Sequence, residues 1–326
     1  MQFSIAFTVL ITAIVASSEA ARAGELFVAD ENAETVGQFD ATTGAAINSS
    51  FISGITNEPR DLKLSGGDLY TTSNNGAVGQ YNATTGQTIN AAFQTEPHES
   101  NGIAFSGSND YVVGFVYVNG YTPAGPAFSD TVGYLPWGVA VLGNDLFVSD
   151  IGTNKAGQGS VAEYDATTGA LLNANFITGL SVPEGLTIVG NNLYVVNNAN
   201  DTMQPNTNGS IGEYNATTGA PINASLVTGL TQPVATAVAG NDLYVTSNPD
   251  VPGQPGFPNY AGLVGEYNAS TGATINASLI TGFQDPQGIV FMAPEPATWI
   301  MLAIGAAAIA VCGGRRRRSG LMLEQS

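Results

Sequence analysis

The sequence predicts an all-β fold: a six-bladed β-propeller with four-stranded antiparallel blades, preceded by a signal peptide and followed by a transmembrane helix. Three observations carry the propeller. The first is a recurring phrase: "VGQFDATTGAAIN" at Val36, "VGQYNATTGQTIN" at Val78, "VAEYDATTGALLN" at Val161, "IGEYNATTGAPIN" at Ile211 and "VGEYNASTGATIN" at Val264. Its TG glycine falls at Gly44, Gly86, Gly169, Gly219 and Gly272, in steps of 42, 83, 50 and 53 residues. The step of 83 holds two periods with a degenerate copy around Val113 to Ser129, so there are six units of about 40–50 residues. That is the period of a propeller blade, and a linear β-solenoid usually has a shorter one. The second observation is that two other phrases alternate with the first, "VLGNDLFVSD"-like and, ahead of it, "PWGVAV"-like. The third is that "ELFVAD" near the start matches the second strand of a unit while "PQGIVF" near the end matches the first.

In chain order, residues 1–23 read as a secretory signal. An apolar run from about Phe3 to Ala16 precedes small residues and the A-x-A pattern Ala21-Arg22-Ala23. Cleavage by signal peptidase after Ala23 leaves a propeller over residues 24–292. Each unit then opens with a "GLAV"-like strand, turns at "GND", returns as "LYV", crosses a loop to "VGEYN", turns at "ATTG" and finishes as "INASLITG". β-Branched and aromatic residues suit the strands. Asn, Asp and Gly tolerate the left-handed backbone that tight hairpins demand. The eight N-x-S/T triplets, such as Asn82-Ala83-Thr84, read as the same turn chemistry. Pairing "PQGIVF" with "ELFVAD" closes the ring and removes the edges a broken one would expose.

Past the last strand, residues 297–314 are apolar or small, about 18 in a row, near the lower limit for crossing a bilayer. Arg315, Arg316, Arg317 and Arg318 follow at once. Such a cluster stays cytoplasmic, which leaves the tail 319–326 inside and the acidic bulk of the chain outside. Ahead of the apolar run stands Pro294-Glu295-Pro296. This tripartite order over residues 293–318 resembles the PEP-CTERM sorting signal of Gram-negative bacteria. The resemblance implies recognition by a membrane protease-transpeptidase, an exosortase, with removal of the helix and release or attachment at the cell surface. It also implies a link to exopolysaccharide and biofilm matrix. The "APEPAT" here departs slightly from the common "VPEPS/T".

Charge excludes one class of function. Between Gly24 and Pro296 there are 24 acidic residues against three basic ones, Arg60, Lys63 and Lys155. Nucleic-acid binding needs a basic footprint, which that region lacks. The single cysteine, Cys312, lies in the terminal apolar run, so the propeller region has no disulfide. The single histidine, His98, excludes a multi-histidine metal site and would be the base of any Ser-His-Asp triad.

The "PxGLAV…GNDLYV" phrasing resembles six-bladed propellers of the NHL-repeat and gluconolactonase/regucalcin kind, over most of residues 25–291. In a propeller the "GND" and "ATTG" turns share one face. The loops that are long and unequal, 151–159, 197–209 and 248–262, share the other, where binding sites are usually placed. Aligning the residue ahead of each innermost strand gives a ring at the channel mouth: Arg60, Asn101, Trp137, Glu184, Val234 and Gln287. Glu99, Asn101, Asp150, Glu184 and Asn197 are potential oxygen ligands for a divalent cation such as calcium. The gluconolactonase resemblance implies a glutamate, an asparagine and an aspartate around such a metal, without a residue-by-residue match. No cofactor is demanded by the sequence itself. Two readings remain. One is a noncatalytic exported module that binds a glycan, a matrix partner or a cation. The other is a divalent-metal-dependent lactonase or hydrolase.

Overall fold

In a computed structural model, the described residues are 24–55, 57–133, 135–152, 159–199, 209–249 and 261–294. The expected signal peptide 1–23, the apolar segment 297–314, the arginine cluster, Glu295, Pro296 and most of the three long loops lie outside them. Among the described residues, twenty-four strands form six four-stranded antiparallel sheets. Blade 1 joins β1 (Glu25–Asp30), β2 (Thr35–Asp40) and β3 (Ala46–Ser53) to the last strand, β24 (Pro286–Met292). Blade 2 runs β4 (Pro59–Ser65), β5 (Asp68–Ser73), β6 (Ala77–Asn82) and β7 (Thr88–Thr95). Blade 3, the degenerate unit, runs β8 (Gly102–Ser106), β9 (Asn109–Gly114), β10 (Tyr117–Thr122) and β11 (Gly125–Thr131). Blade 4 runs β12 (Pro136–Leu142), β13 (Asp145–Asp150), β14 (Gly159–Asp165) and β15 (Leu171–Leu180). Blade 5 runs β16 (Pro183–Val189), β17 (Asn192–Asn197), β18 (Gly209–Asn215) and β19 (Pro221–Leu230). Blade 6 runs β20 (Pro233–Ala239), β21 (Asp242–Ser247), β22 (Gly262–Asn268) and β23 (Thr274–Phe283).

The ring closes as the ends of the repeat suggested. Strand β24 pairs antiparallel with β1, from Glu25 opposite Met292 to Asp30 opposite Pro286. Each first strand (β24, β4, β8, β12, β16, β20) packs on the next around a central channel. The cores lie between neighbouring blades: Leu26 and Val28 of β1 pack with Tyr244 and Val264 of blade 6, and Phe27 and Ala29 with Leu62 and Leu69 of blade 2. Residues Glu25–Met292 form one compact unit holding all six cores and the closure of the ring, so this stretch is expected to fold by itself.

The "ATTG" turn repeats in atomic detail. Asp40 Oδ1 accepts from the amides of Thr42 (3.1 Å) and Thr43 (2.8 Å) and from the Thr43 hydroxyl (2.8 Å). Asn82, Asp165, Asn215 and Asn268 do the same in their blades. The turn ends on glycine at positive φ, +76° at Gly169, where a side chain would be strained. Blade 3 lacks this cradle; its hairpin is closed by Thr122 Oγ1 donating to the Gly125 carbonyl (3.1 Å). Among the described residues no helix is long and apolar enough to cross a membrane.

Candidate functional site at the channel mouth

The mouth opens on the face opposite the "ATTG" turns, here called upper. Local sequence builds it in three ways. Asn101, Trp137, Glu184 and Gln287 are each followed by glycine. A Cβ on Gly138 would strike the Glu184 carbonyl oxygen, and one on Gly102 the Trp137 carbonyl oxygen, so the missing side chains let neighbouring innermost strands touch. Hydroxyls at one position of the second strand then bracket alternate blades. Ser149 Oγ donates to the Glu184 carbonyl (2.7 Å), Thr246 Oγ1 to that of Gln287 (2.8 Å) and Thr72 Oγ1 to that of Asn101 (3.4 Å). Finally, Glu58, Leu135, Val182 and Gln232, each just before a strand-opening proline, sit at positive φ between +46° and +62°. Prolines disfavour α conformations in the residue before them, and this strained conformation is held by the surrounding structure. The carbonyls of Glu58, Val182 and Gln232 accept from the amides of Asn74, Asn198 and Asn248, fixing those asparagines at the rim.

Arg60 organises the centre. Its guanidinium donates to Asn101 Oδ1 and to Asn74 Oδ1 (3.1 Å), lies 3.6 Å from Glu99 and stacks 5.2 Å above the Trp137 ring. Desolvated contacts of this cation–π type are worth up to about 2 kcal/mol. Arg60, Asn101, Trp137, Val234 and Gln287 line a narrow cavity of about 20 Å³, room for one water.

Carboxylates gather on one side of it. Burial pushes Glu184 up to about 8, opposed by a hydrogen bond from Asn198 and aided by the Asp285 charge. Glu31 is raised to about 7, again by burial first, with Arg60 opposing and Asp285 and Glu58 adding to it. Asp285, raised by burial to about 6, accepts from Asn248 Nδ2 (2.5 Å), Gln287 Nε2 (2.7 Å) and Asn32 Nδ2 (3.2 Å). The Oδ1 atoms of Asn198 and Asn248 are buried without a hydrogen-bond partner.

Not all the residues expected from sequence meet here. Arg60, Asn101 and Trp137 are brought together, with Glu99 on the Arg60 guanidinium. Gln287 reaches Asp285, and Glu184 occupies the ring position of blade 5. Asp150 turns outward: it accepts from the Gly152 amide (2.9 Å) and lines a separate cavity of about 310 Å³ with Asp130 and Tyr164. Asn197 is likewise engaged elsewhere, its Oδ1 accepting from the Ser181 amide (2.6 Å). Successive side chains of an extended chain face opposite ways, and it is Asn198 that hydrogen-bonds Glu184. His98 is exposed and stacks on Phe115 at 5.1 Å. Sequence reasoning missed Glu31, Asn74, Asn198, Asn248 and Asp285. The available signal was an Asn or Glu one step beyond the second strand in "ADEN", "TSNN", "VNNAN" and "TSNPD". Among the described residues, no three or more His, Cys, Asp or Glu side chains converge as a ready metal cage.

Comparison with known proteins bears on both ends of this picture. Residues 293–318 match the PEP-CTERM protein-sorting motif. The chain thus carries the signal of an exported, membrane-anchored protein that is then processed by an exosortase. The propeller is similar to a crystal structure of a protein of unknown function from Bacteroides caccae: TM-score 0.58, 12% identity, covering 83% of this chain and 99% of that one. A functionally unknown protein from Desulfotomaculum acetoxidans DSM 771 gives TM-score 0.53 at 12% identity, covering 84% of this chain and 100% of that one. Likeness at this identity shows the six-bladed fold alone. No curated protein matches the sequence.

Proposed function

We propose that this exported propeller is a noncatalytic binding module of the cell surface or extracellular matrix, and that its channel mouth holds a glycan. The observation that carries this reading is the Arg60–Trp137 pair. A half-buried indole, held by the guanidinium over it, offers a rigid stacking surface flanked by Asn74, Asn101, Glu99 and Gln287. An aromatic platform ringed by fixed amides and carboxylates suits a polyhydroxylated ligand, whose hydroxyls both donate and accept. The sorting motif supports delivery to a compartment rich in exopolysaccharide. The test is binding of residues 24–292 to polysaccharide from the producing cells and to a panel of defined oligosaccharides. Trp137→Ala is expected to weaken binding at least tenfold without lowering the melting temperature by more than a few degrees. Unchanged binding by that variant would remove the mouth from the reading.

A second reading, a divalent-metal-dependent lactonase or hydrolase, draws on one specific observation. The orphaned amide oxygens of Asn198 and Asn248 lie with Glu184 and Asp285, whose carboxyls burial holds above their ordinary range. These four residues would hold a calcium-like ion, which takes oxygen ligands of this kind. Bound there, it would act as a Lewis acid on a substrate carbonyl.

A further inference from the structure

The channel has a second, larger cavity at its lower end. It measures about 270 Å³ and is walled by Leu64, Phe105, Val141, Ile188, Val238 and Val290, one residue from each innermost strand. A repeat protein that fills its upper channel with polar groups thus leaves the lower channel open, with mostly apolar side chains among its lining residues. At the waist between the two cavities, Lys63, Thr187 and Thr236 line both. The threonine hydroxyls satisfy each other: Thr236 Oγ1 donates to Thr187 Oγ1 (2.9 Å), which donates to the Thr236 carbonyl (2.8 Å). Lys63 is different. Its ammonium has a single carboxylate partner, Asp61 Oδ1 at 3.3 Å, and its side chain keeps 28% of its surface although it sits on an innermost strand. An ammonium has three N–H donors, so two remain. Lys63 and Arg60 are the only Lys or Arg side chains among the described residues.

We propose that this lower cavity binds a medium-chain aliphatic carboxylate, with its alkyl chain among the six apolar residues and its carboxylate on Lys63. Charge fixes the orientation. The turns that flank the opening begin β5, β13 and β21 with Asp68, Asp145 and Asp242, which repel a carboxylate left outside. The cation lies at the inner end. The Lys63 ammonium lies against Asp61 Oδ1 at 3.3 Å, with further N–H donors left to meet a ligand carboxylate. Volume limits the length: a cavity of about 270 Å³ admits a chain on the order of octanoate and no long-chain acid. The site shares Lys63, Thr187 and Thr236 with the floor of the upper cavity but not Arg60 or Trp137.

Calorimetric titration of residues 24–292 with butyrate, hexanoate, octanoate and octanol tests it. Octanoate is expected to bind saturably, one per chain. Each added methylene should tighten binding about three- to fourfold up to the cavity length. Octanol should bind at least tenfold more weakly than octanoate. Lys63→Met should erase that preference, Val238→Phe should block both ligands by filling the cavity, and Trp137→Ala should change neither. If Lys63→Met does not fold, by circular dichroism and melting, Val238→Phe and the octanoate–octanol comparison decide. Absence of saturable octanoate binding, equal affinity for octanol, or octanoate binding untouched by Val238→Phe would overturn the proposal.

Discussion

Glu184 shows how much a single residue can report. Its carboxyl is raised to about 8, and those of Glu31 and Asp285 to about 7 and 6, by burial beside one another and against the opposing pull of Arg60. The unfolded chain titrates these groups near their ordinary values of about 4. Between that value and pH 8 the folded state therefore binds more protons than the unfolded one. Stability from these groups is complete below the unfolded value and is lost as pH rises through 6 to 8. The melting temperature of residues 24–292 is expected to fall between pH 5.5 and 8.5. Glu184→Gln, neutral throughout, should flatten the fall and raise the melting temperature at pH 8.5. A tenfold difference in proton affinity between the two states is worth about 1.4 kcal/mol, or a few degrees for a domain of this size. A flat wild-type profile across that range would mean that the mouth carboxyls are solvated. The mouth ring itself was legible in the sequence, because the phrase "PxG" marks the start of each innermost strand. The partners of the ring were not. Asn198 and Asn248 come from a different strand, and choosing Asn198 over Asn197 depends on where the strand ends, which a pattern of alternating residues fixes only to within a few positions.

At the scale of elements, nearly every strand was legible, since each blade repeats one solution and the repeats vote together. The outer edges share one further device. Outer strands β3, β7, β15, β19 and β23 shift register against their neighbours at the same place in each blade. There Asn48, Asn90, Asn173, Asn223 and Asn276 accept from the amide two residues on. Such irregularities bend an edge away from pairing with another chain. Blade 3 was the least legible element, because its Thr122 hairpin replaces the Asx cradle that makes the other turns recognisable. Closure carries the most weight. Strand β24 is the only neighbour of β1 besides β2, and Ile289 packs with Leu26 and Val28 in the core between blades 6 and 1. Ending the chain at Asp285 leaves that core uncovered and an innermost edge unpaired. Residues 24–285 are expected to lose the single cooperative transition of residues 24–292, measured by calorimetry, and to elute as larger, associating species. A sharp transition and monomeric elution of the shorter chain would mean that the ring does not depend on its seam.

Across the whole molecule, charge and sorting act together. The stretch from Gly24 to Pro296 carries 24 acidic and three basic residues, and four arginines stand together after the apolar segment. Lys and Arg resist translocation while acidic residues have little effect, so the arrangement is expected to retain the tail and let the propeller cross. Two of the three basic residues outside the terminal cluster and the signal region, Arg60 and Lys63, lie in the channel, one at the mouth and one at the waist. Both are met there by carboxylates, Arg60 by Glu99 and Lys63 by Asp61, so the channel keeps its few cations paired. None of this depends on the sorting segment once export is complete, which makes its fate separable from binding. The motif over residues 293–318 implies removal of the apolar segment and arginines beyond the PEP tripeptide. The intact mass of protein recovered from the cell surface or medium is therefore expected to end close to Pro296 and to lack Cys312 and the four arginines. Replacing Arg315 to Arg318 by glutamine should leave an unprocessed precursor that retains the tail, because the segment no longer halts with its end inside. Recovery of wild-type protein at full length to Ser326 from the cell exterior would count against exosortase processing, while leaving the propeller and the two proposed channel sites untouched.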